Sequence, residues 1–168
     1  MVKFVENTTQ EVMRYAAVKA NDVANGPGVR VTLFVQGCPH HCPGCFNSET
    51  WEFDGGEEFT AYTMDELIEI GKRPHINGLS ILGGEPFAQN LEIIQTIIEM
   101  FKEATGKSVW MWSGYLYEEL MENENARKIL SMIDVLVDGP FIESKKDLTL
   151  KHRGSSNQRV FDLKNMNS

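Results

Sequence analysis

A chain of 168 residues suits one domain with a hydrophobic core of its own. Its 24 acidic against 16 basic side chains, a net charge of −8, argue against a nucleic-acid partner, because phosphate binding needs clustered Lys and Arg. No apolar run reaches the length of a membrane span, and the opening stretch MVKFVENTTQEVMRY is too polar for a signal-peptide core, so no membrane partner is expected.

In chain order, the turn Asn25–Gly28 (NGPG) leads through Arg30 into a β-rich run, Val31–Gln36, which delivers the chain to Gly37 and a cysteine loop. Thr63–Glu66 (TMDE) reads as a capping box opening a helix to about Arg73, stopped by Pro74. Leu79–Leu82 reads as a buried strand ending in Gly83–Pro86 (GGEP). Asn90 then caps a long helix with Leu91, Ile94, Ile97, Ile98 and Phe101 on its core face, closed by Gly106. Val109–Trp112 is a third strand, followed by Ser113 and Gly114 and a helical stretch from about Leu116. A further helix covers about 125–132. Val135–Val137 is a fourth strand, ending at Asp138–Pro140 (DGP), and Gln158–Leu163 is a further strand candidate before a short polar tail.

Strand and helix alternate, which predicts an α/β fold with a parallel sheet and right-handed crossovers. A closed eightfold barrel takes roughly 250 residues. The expectation is therefore a partial (incomplete) TIM-like βα barrel, one domain over 1–168. Ligands of such sheets bind beyond the carboxyl ends of the strands. The cysteine loop, GGEP, Ser113–Gly114 and Asp138–Gly139 all fall there, which predicts one shared pocket.

Cys38, Cys42 and Cys45 are the three cysteines of the chain and lie within eight residues. An odd, close set is no disulfide framework and points to a reducing cytoplasm. The spacing C-x3-C-x2-C without a fourth cysteine suits a 4Fe–4S cluster with one iron open. The alternatives are a zinc site completed by His40 or His41, and buried inert thiols. In GGEP, glycines let backbone approach a ligand closely, and Glu85 could accept from an ammonium group; an ordinary loop is the plain alternative. Arg30 reads equally as a surface residue, Trp110 and Trp112 as core. Lys145, Lys146, Lys151, Arg153 and Arg159 form the nearest approach to a basic cluster, diluted by Glu143 and Asp147, and read as a solvated loop. No acid–base machinery stands out, as expected where a cofactor does the hard chemistry.

The cysteine motif after a strand, with GGEP at a later strand end, resembles the radical S-adenosylmethionine superfamily. The blocks NGPGVRVTLFVQGCPHHCPGCFNSETW, LSILGGEP, VWMWSGY, VLVDGPF and RGSSNQ, in this order, resemble its glycyl-radical-activating branch. Gly44 before the last cysteine and Asn25 before GPG favour the ribonucleotide-reductase side of that branch over the pyruvate formate-lyase type, which is longer and carries Asp before GPG.

The resemblance implies a 4Fe–4S cluster on Cys38, Cys42 and Cys45, its fourth iron chelated by S-adenosyl-L-methionine. It further implies cofactor contacts from Gly44, Cys45 and Phe46, from Gly83, Gly84 and Glu85, and by position from Ser113 and Asp138. The implied partners are the large subunit of anaerobic ribonucleoside-triphosphate reductase, as protein substrate, and a low-potential donor such as a flavodoxin. Monomer and homodimer both remain open. A non-catalytic zinc module is the rival from another class.

Overall fold

The computed structural model describes residues 2–166. Among them, seven strands make one open sheet: β1 Arg14–Asp22, β2 Arg30–Val35, β3 Glu57–Glu58, β4 Gly78–Gly83, β5 Ser108–Trp112, β6 Val135–Asp138 and β7 Arg159–Asp162, in the order β3-β1-β2-β4-β5-β6-β7. The helices are α1 Ala61–Gly71, α2 Leu91–Thr105, α3 Tyr117–Met121, α4 Glu124–Met132 and α5 Leu163–Met166.

The expected parallel sheet holds for its centre only, β2, β4, β5 and β6. β1 runs antiparallel to β2, β3 antiparallel to β1, and β7 antiparallel to β6. The reason lies in the connections. A short turn between β1 and β2 can only return the chain antiparallel, whereas a parallel neighbour needs a long crossover, here supplied by helices. The sheet does not close on itself.

Pleating gives the central strands two different faces. Leu33, Ile81, Met111 and Leu136 stand in register across β2, β4, β5 and β6 and belong to the core beneath α1, α2 and α4. The other face carries Thr32, Ser80 and Trp110 in register, with Phe34, Leu82 and Trp112 nearer the strand ends. Helices cover one face; the other floors the cavity described below.

α2 forms as its sequence predicts. The Asn90 side chain accepts from the Glu92 amide at 2.9 Å, Gly106 turns left-handed at φ 67°, and all five expected core residues are buried. α1 starts earlier than expected. Its cap is Thr60, whose amide donates to the Thr63 hydroxyl at 3.1 Å, so TMDE lies inside the helix. Arg30 is no surface residue: it is 1% exposed, donates to Ser80 Oγ and the carbonyls of Leu79 and Ser108, and burial pulls its pKa down to about 10. The tail after Leu163 begins with one helical turn, and positions 167–168 lie outside the described residues.

Candidate functional site

The cysteine loop leaves β2 at Gly37, whose φ of 112° suits glycine, and both its ends are pinned. The amides of Gly37 and Cys38 donate to the carbonyls of Thr50 at 2.7 Å and Trp51 at 3.0 Å, and Cys45 N donates to Cys42 O at 3.1 Å. All three sulfurs are free thiols. Burial, then the nearby Glu85 carboxylate, pushes Cys38 up to about 12, and burial likewise raises Cys42. A metal taken up by these sulfurs would have to displace their protons.

Cys38, Cys42 and Cys45 border one cavity of about 590 Å³ together with Gly83, Gly84 and Glu85. Gly44 is exposed beside them; Phe46, 54% exposed, and Ser113 also line the cavity. The expected convergence of strand ends is thus met, with one difference. Asp138 does not border the cavity; Gly139 does. The Asp138 carboxylate turns away to accept from Tyr117 N at 2.7 Å and from Arg159 Nε at 3.0 Å, so it caps α3 and ties β6 to β7.

Glu85 is 1% exposed and its oxygens are already engaged. Oε1 meets His40 Nε2 at 2.7 Å and accepts from Gly114 N at 2.6 Å, while Oε2 accepts from Ser113 Oγ at 2.9 Å and Phe87 N at 3.0 Å. One carboxylate therefore joins the ends of β2, β4 and β5. Ser113 Oγ in turn accepts from Tyr115 N at 3.0 Å. The glycines before Glu85 are explained by the chain itself: a Cβ on Gly84 would lie 2.5 Å from Gly37 O and 2.9 Å from Val35 O. The close approach demanded at GGEP is that of β4 to the root of the cysteine loop.

Phe141, Leu148, Leu150, His152, Arg153, Gly154 and Gln158 form part of the cavity wall; the sequence reads the lysines of this stretch as a solvated loop and RGSSNQ either as a contact to the partner or the cofactor or as a polar loop. Trp112 Nε1 donates to His152 O at 2.7 Å, Phe141 packs on Phe46 with rings 5.1 Å apart, and Arg153 and Gln158 line the cavity. Trp112 borders the cavity and is no plain core residue. RGSSNQ holds itself together, Gln158 Oε1 accepting from Gly154 N and Arg153 Nη1 donating to Gln158 O. The only hint in the sequence was the polar density of that segment.

Three free thiols at one cavity are donor chemistry that suits a sulfur-ligated cluster. His40 meets Glu85 through Nε2, and His41 is exposed and stacks on Trp51 at 4.6 Å. Among the described residues, no three His, Cys, Asp or Glu side chains converge on a single ion position. Three cavity-bordering side chains also carry buried nitrogens without a protein partner: His40 Nδ1, Trp51 Nε1 and Arg153 Nε. Such orphaned groups mark a wall built for a polar ligand.

A mixed α/β sheet presenting three thiols at a strand-end cavity defines an iron–sulfur protein, and a family model described as a 4Fe-4S single cluster domain matches residues 24–161. The anaerobic ribonucleoside-triphosphate reductase-activating proteins of Salmonella typhi and Escherichia coli K12 are 42% and 41% identical over 156 residues, 90% of this chain and 100% of theirs. That of enterobacteria phage T4 is 39% identical over 153 residues, 89% of this chain and 94% of its own. The chain belongs to the family of anaerobic ribonucleoside-triphosphate reductase-activating proteins. No helix among the described residues is long and apolar enough to cross a membrane.

Proposed function

We propose that the chain is a radical S-adenosylmethionine enzyme that installs a glycyl radical in the large subunit of anaerobic ribonucleoside-triphosphate reductase, in the cytoplasm. The observation that carries the proposal is the meeting of all three cysteines with Gly83, Gly84, Glu85 and Ser113 at one cavity. The name of the relatives supplies the partner. On this reading the open sheet is the arc of an incomplete TIM-like barrel, residues 1–168 are one domain, and Cys38, Cys42 and Cys45 hold a 4Fe–4S cluster. When bound, the cluster and S-adenosylmethionine supply one-electron cleavage to methionine and a 5′-deoxyadenosyl radical, which takes hydrogen from the reductase glycine.

The chain's residues do the placing. Gly44, Cys45 and Phe46 form the edge along the cofactor. The backbone of Gly83 and Gly84 receives its methionine end, and Ser113 borders it. Glu85 acts by orienting His40, Ser113 and Gly114, because its oxygens already serve four protein donors. Asp138 acts from behind, fixing Tyr117 and Arg159 and so the strand end at Gly139. Phe141, Leu148, Leu150, Arg153 and Gln158, which border the cavity, keep water from a reactive carbon radical.

The test is anaerobic reconstitution with iron and sulfide, then reduction with S-adenosylmethionine and the reductase large subunit. One 5′-deoxyadenosine per glycyl radical is expected. A radical formed only in a pyruvate formate-lyase, or colourless protein holding one zinc, would replace this reading.

A further inference from the structure

In this acidic chain, residues 141–154 run against the trend, with Lys145, Lys146, Lys151 and Arg153 against Glu143 and Asp147. The segment is seated on the cysteine loop. Lys146 Nζ lies 5.2 Å from the centroid of the Phe46 ring, and a Cβ on Gly44 would stand 2.9 Å from the Glu143 carboxyl carbon. These contacts flank Cys45. The loop has two sides. Leu148, Leu150 and Arg153 border the cavity, whereas Lys145, Lys146 and Lys151 do not, and all three lysines are exposed. Among the described residues none of the three is in an ion pair.

We infer that Lys145, Lys146 and Lys151, exposed on this loop outside the cavity lining, with Lys146 over the Phe46 ring, form the landing surface for an acidic one-electron carrier protein. The inference rests on the cluster reading above, because a cluster that must be reduced needs a route for the electron. The cavity has to admit the glycine-bearing segment of the protein substrate, so the carrier needs a second approach. The outer face over Gly44–Phe46 offers one without entering the cavity. Exposed lysines outside any ion pair suit a transient encounter steered by charge, of the small kind (under about 1,200 Å²) typical of redox partners. One electron leaves the reduced carrier, which ends oxidised by one electron, and the cluster is reduced by one; no bond is made or broken at this surface.

The experiment uses the reconstituted protein and an acidic flavodoxin as probe. Binding is measured by calorimetry at about 50 and about 200 mM salt, over which a charge-steered contact is increasingly screened. Wild-type protein is expected to bind and to weaken with salt. The variant carrying Lys145→Glu, Lys146→Glu and Lys151→Glu is expected to lose about tenfold or more in affinity and to accept electrons from reduced flavodoxin correspondingly more slowly. The matching triple Lys→Arg variant should bind as wild type. Dithionite-driven 5′-deoxyadenosine formation and affinity for the reductase should be unchanged in the Lys→Arg variant and in a Lys145→Glu, Lys151→Glu double variant, which touches no residue bordering the cavity and leaves Lys146 over Phe46. Absent flavodoxin binding, binding indifferent to the charge reversal, or reversal that weakens the reductase instead would each overturn the inference. If wild-type protein fails to form deoxyadenosine even with dithionite, it is the cluster reading that falls.

Discussion

His40 Nε2 and Glu85 Oε1 stand 2.7 Å apart, with the His40 side chain 5% and the Glu85 side chain 1% exposed. This contact ties the cysteine loop to the GGEP loop through side chains and not only through sheet pairing. Tyr115 backs it, its ring edge-on to His40 at 4.4 Å, and Phe4 backs Tyr115 in the same way at 5.0 Å. The N-terminal segment thereby buttresses the cysteine loop from outside.

Glu85→Ala leaves four buried donors without their acceptor. Each unsatisfied group costs about 1–3 kcal/mol, partly relieved by water, so a loss of about 3 kcal/mol is expected in the metal-free protein. Urea unfolding measures it. Glu85→Gln keeps one acceptor oxygen and should lose less. Equal stability of Glu85→Ala and wild type would show that the carboxylate organises nothing.

Gly84→Val would drive a Cβ against Gly37 O at 2.5 Å. Backbone cannot yield there as a side-chain tip can, so overpacking should cost about 1–3 kcal/mol. The displaced cysteine loop should also hold less iron after reconstitution. Iron content and stability both at wild-type level would remove Gly84 from the joint between β4 and the loop.

Much of this was legible beforehand. The cysteine spacing, the caps and core face of α2, and the four parallel strands announce themselves through local pattern. β1 does not: its sequence RYAAVKAND is rich in Ala and polar residues, and two register shifts break its pairing with β2. The hub at Glu85 was hidden for another reason. It joins residues 40, 85, 113 and 114, which come together only when three strand ends are aligned. The turning away of Asp138 depends on Arg159, 21 positions later, which sequence pattern alone does not pair with it.

Acid stability has a defined contributor in Asp134. Burial alone would raise its pKa, but the Val109 amide at 2.8 Å and the Lys102 ammonium at 2.9 Å outweigh this and hold it below the usual carboxylate range. A carboxyl lowered in the folded state stabilises above its unfolded pKa, near 3.9, and that stability is lost as pH falls through the folded value. Asp134→Asn should cost about 1–2 kcal/mol at neutral pH and flatten the decline in stability below about pH 4. Denaturation curves across pH 2–7 test this, and an unchanged pH slope would exclude Asp134.

Cys42→Ala tests the separation of site from scaffold. The thiol lies in a loop beyond the sheet and outside the hydrophobic core, so the metal-free variant should keep wild-type circular dichroism and unfold cooperatively. Its iron content after reconstitution should collapse. An unfolded variant would make the loop part of the fold's support.

The most direct measurement is nitrogen hyperfine spectroscopy of the reduced, reconstituted protein with S-adenosylmethionine labelled with ¹⁵N at its amino group. Three protein thiolates and one open iron predict a coupling from that label to the cluster and none from His40 or His41. A histidine nitrogen bound to the fourth iron, with no label coupling, would contradict the account.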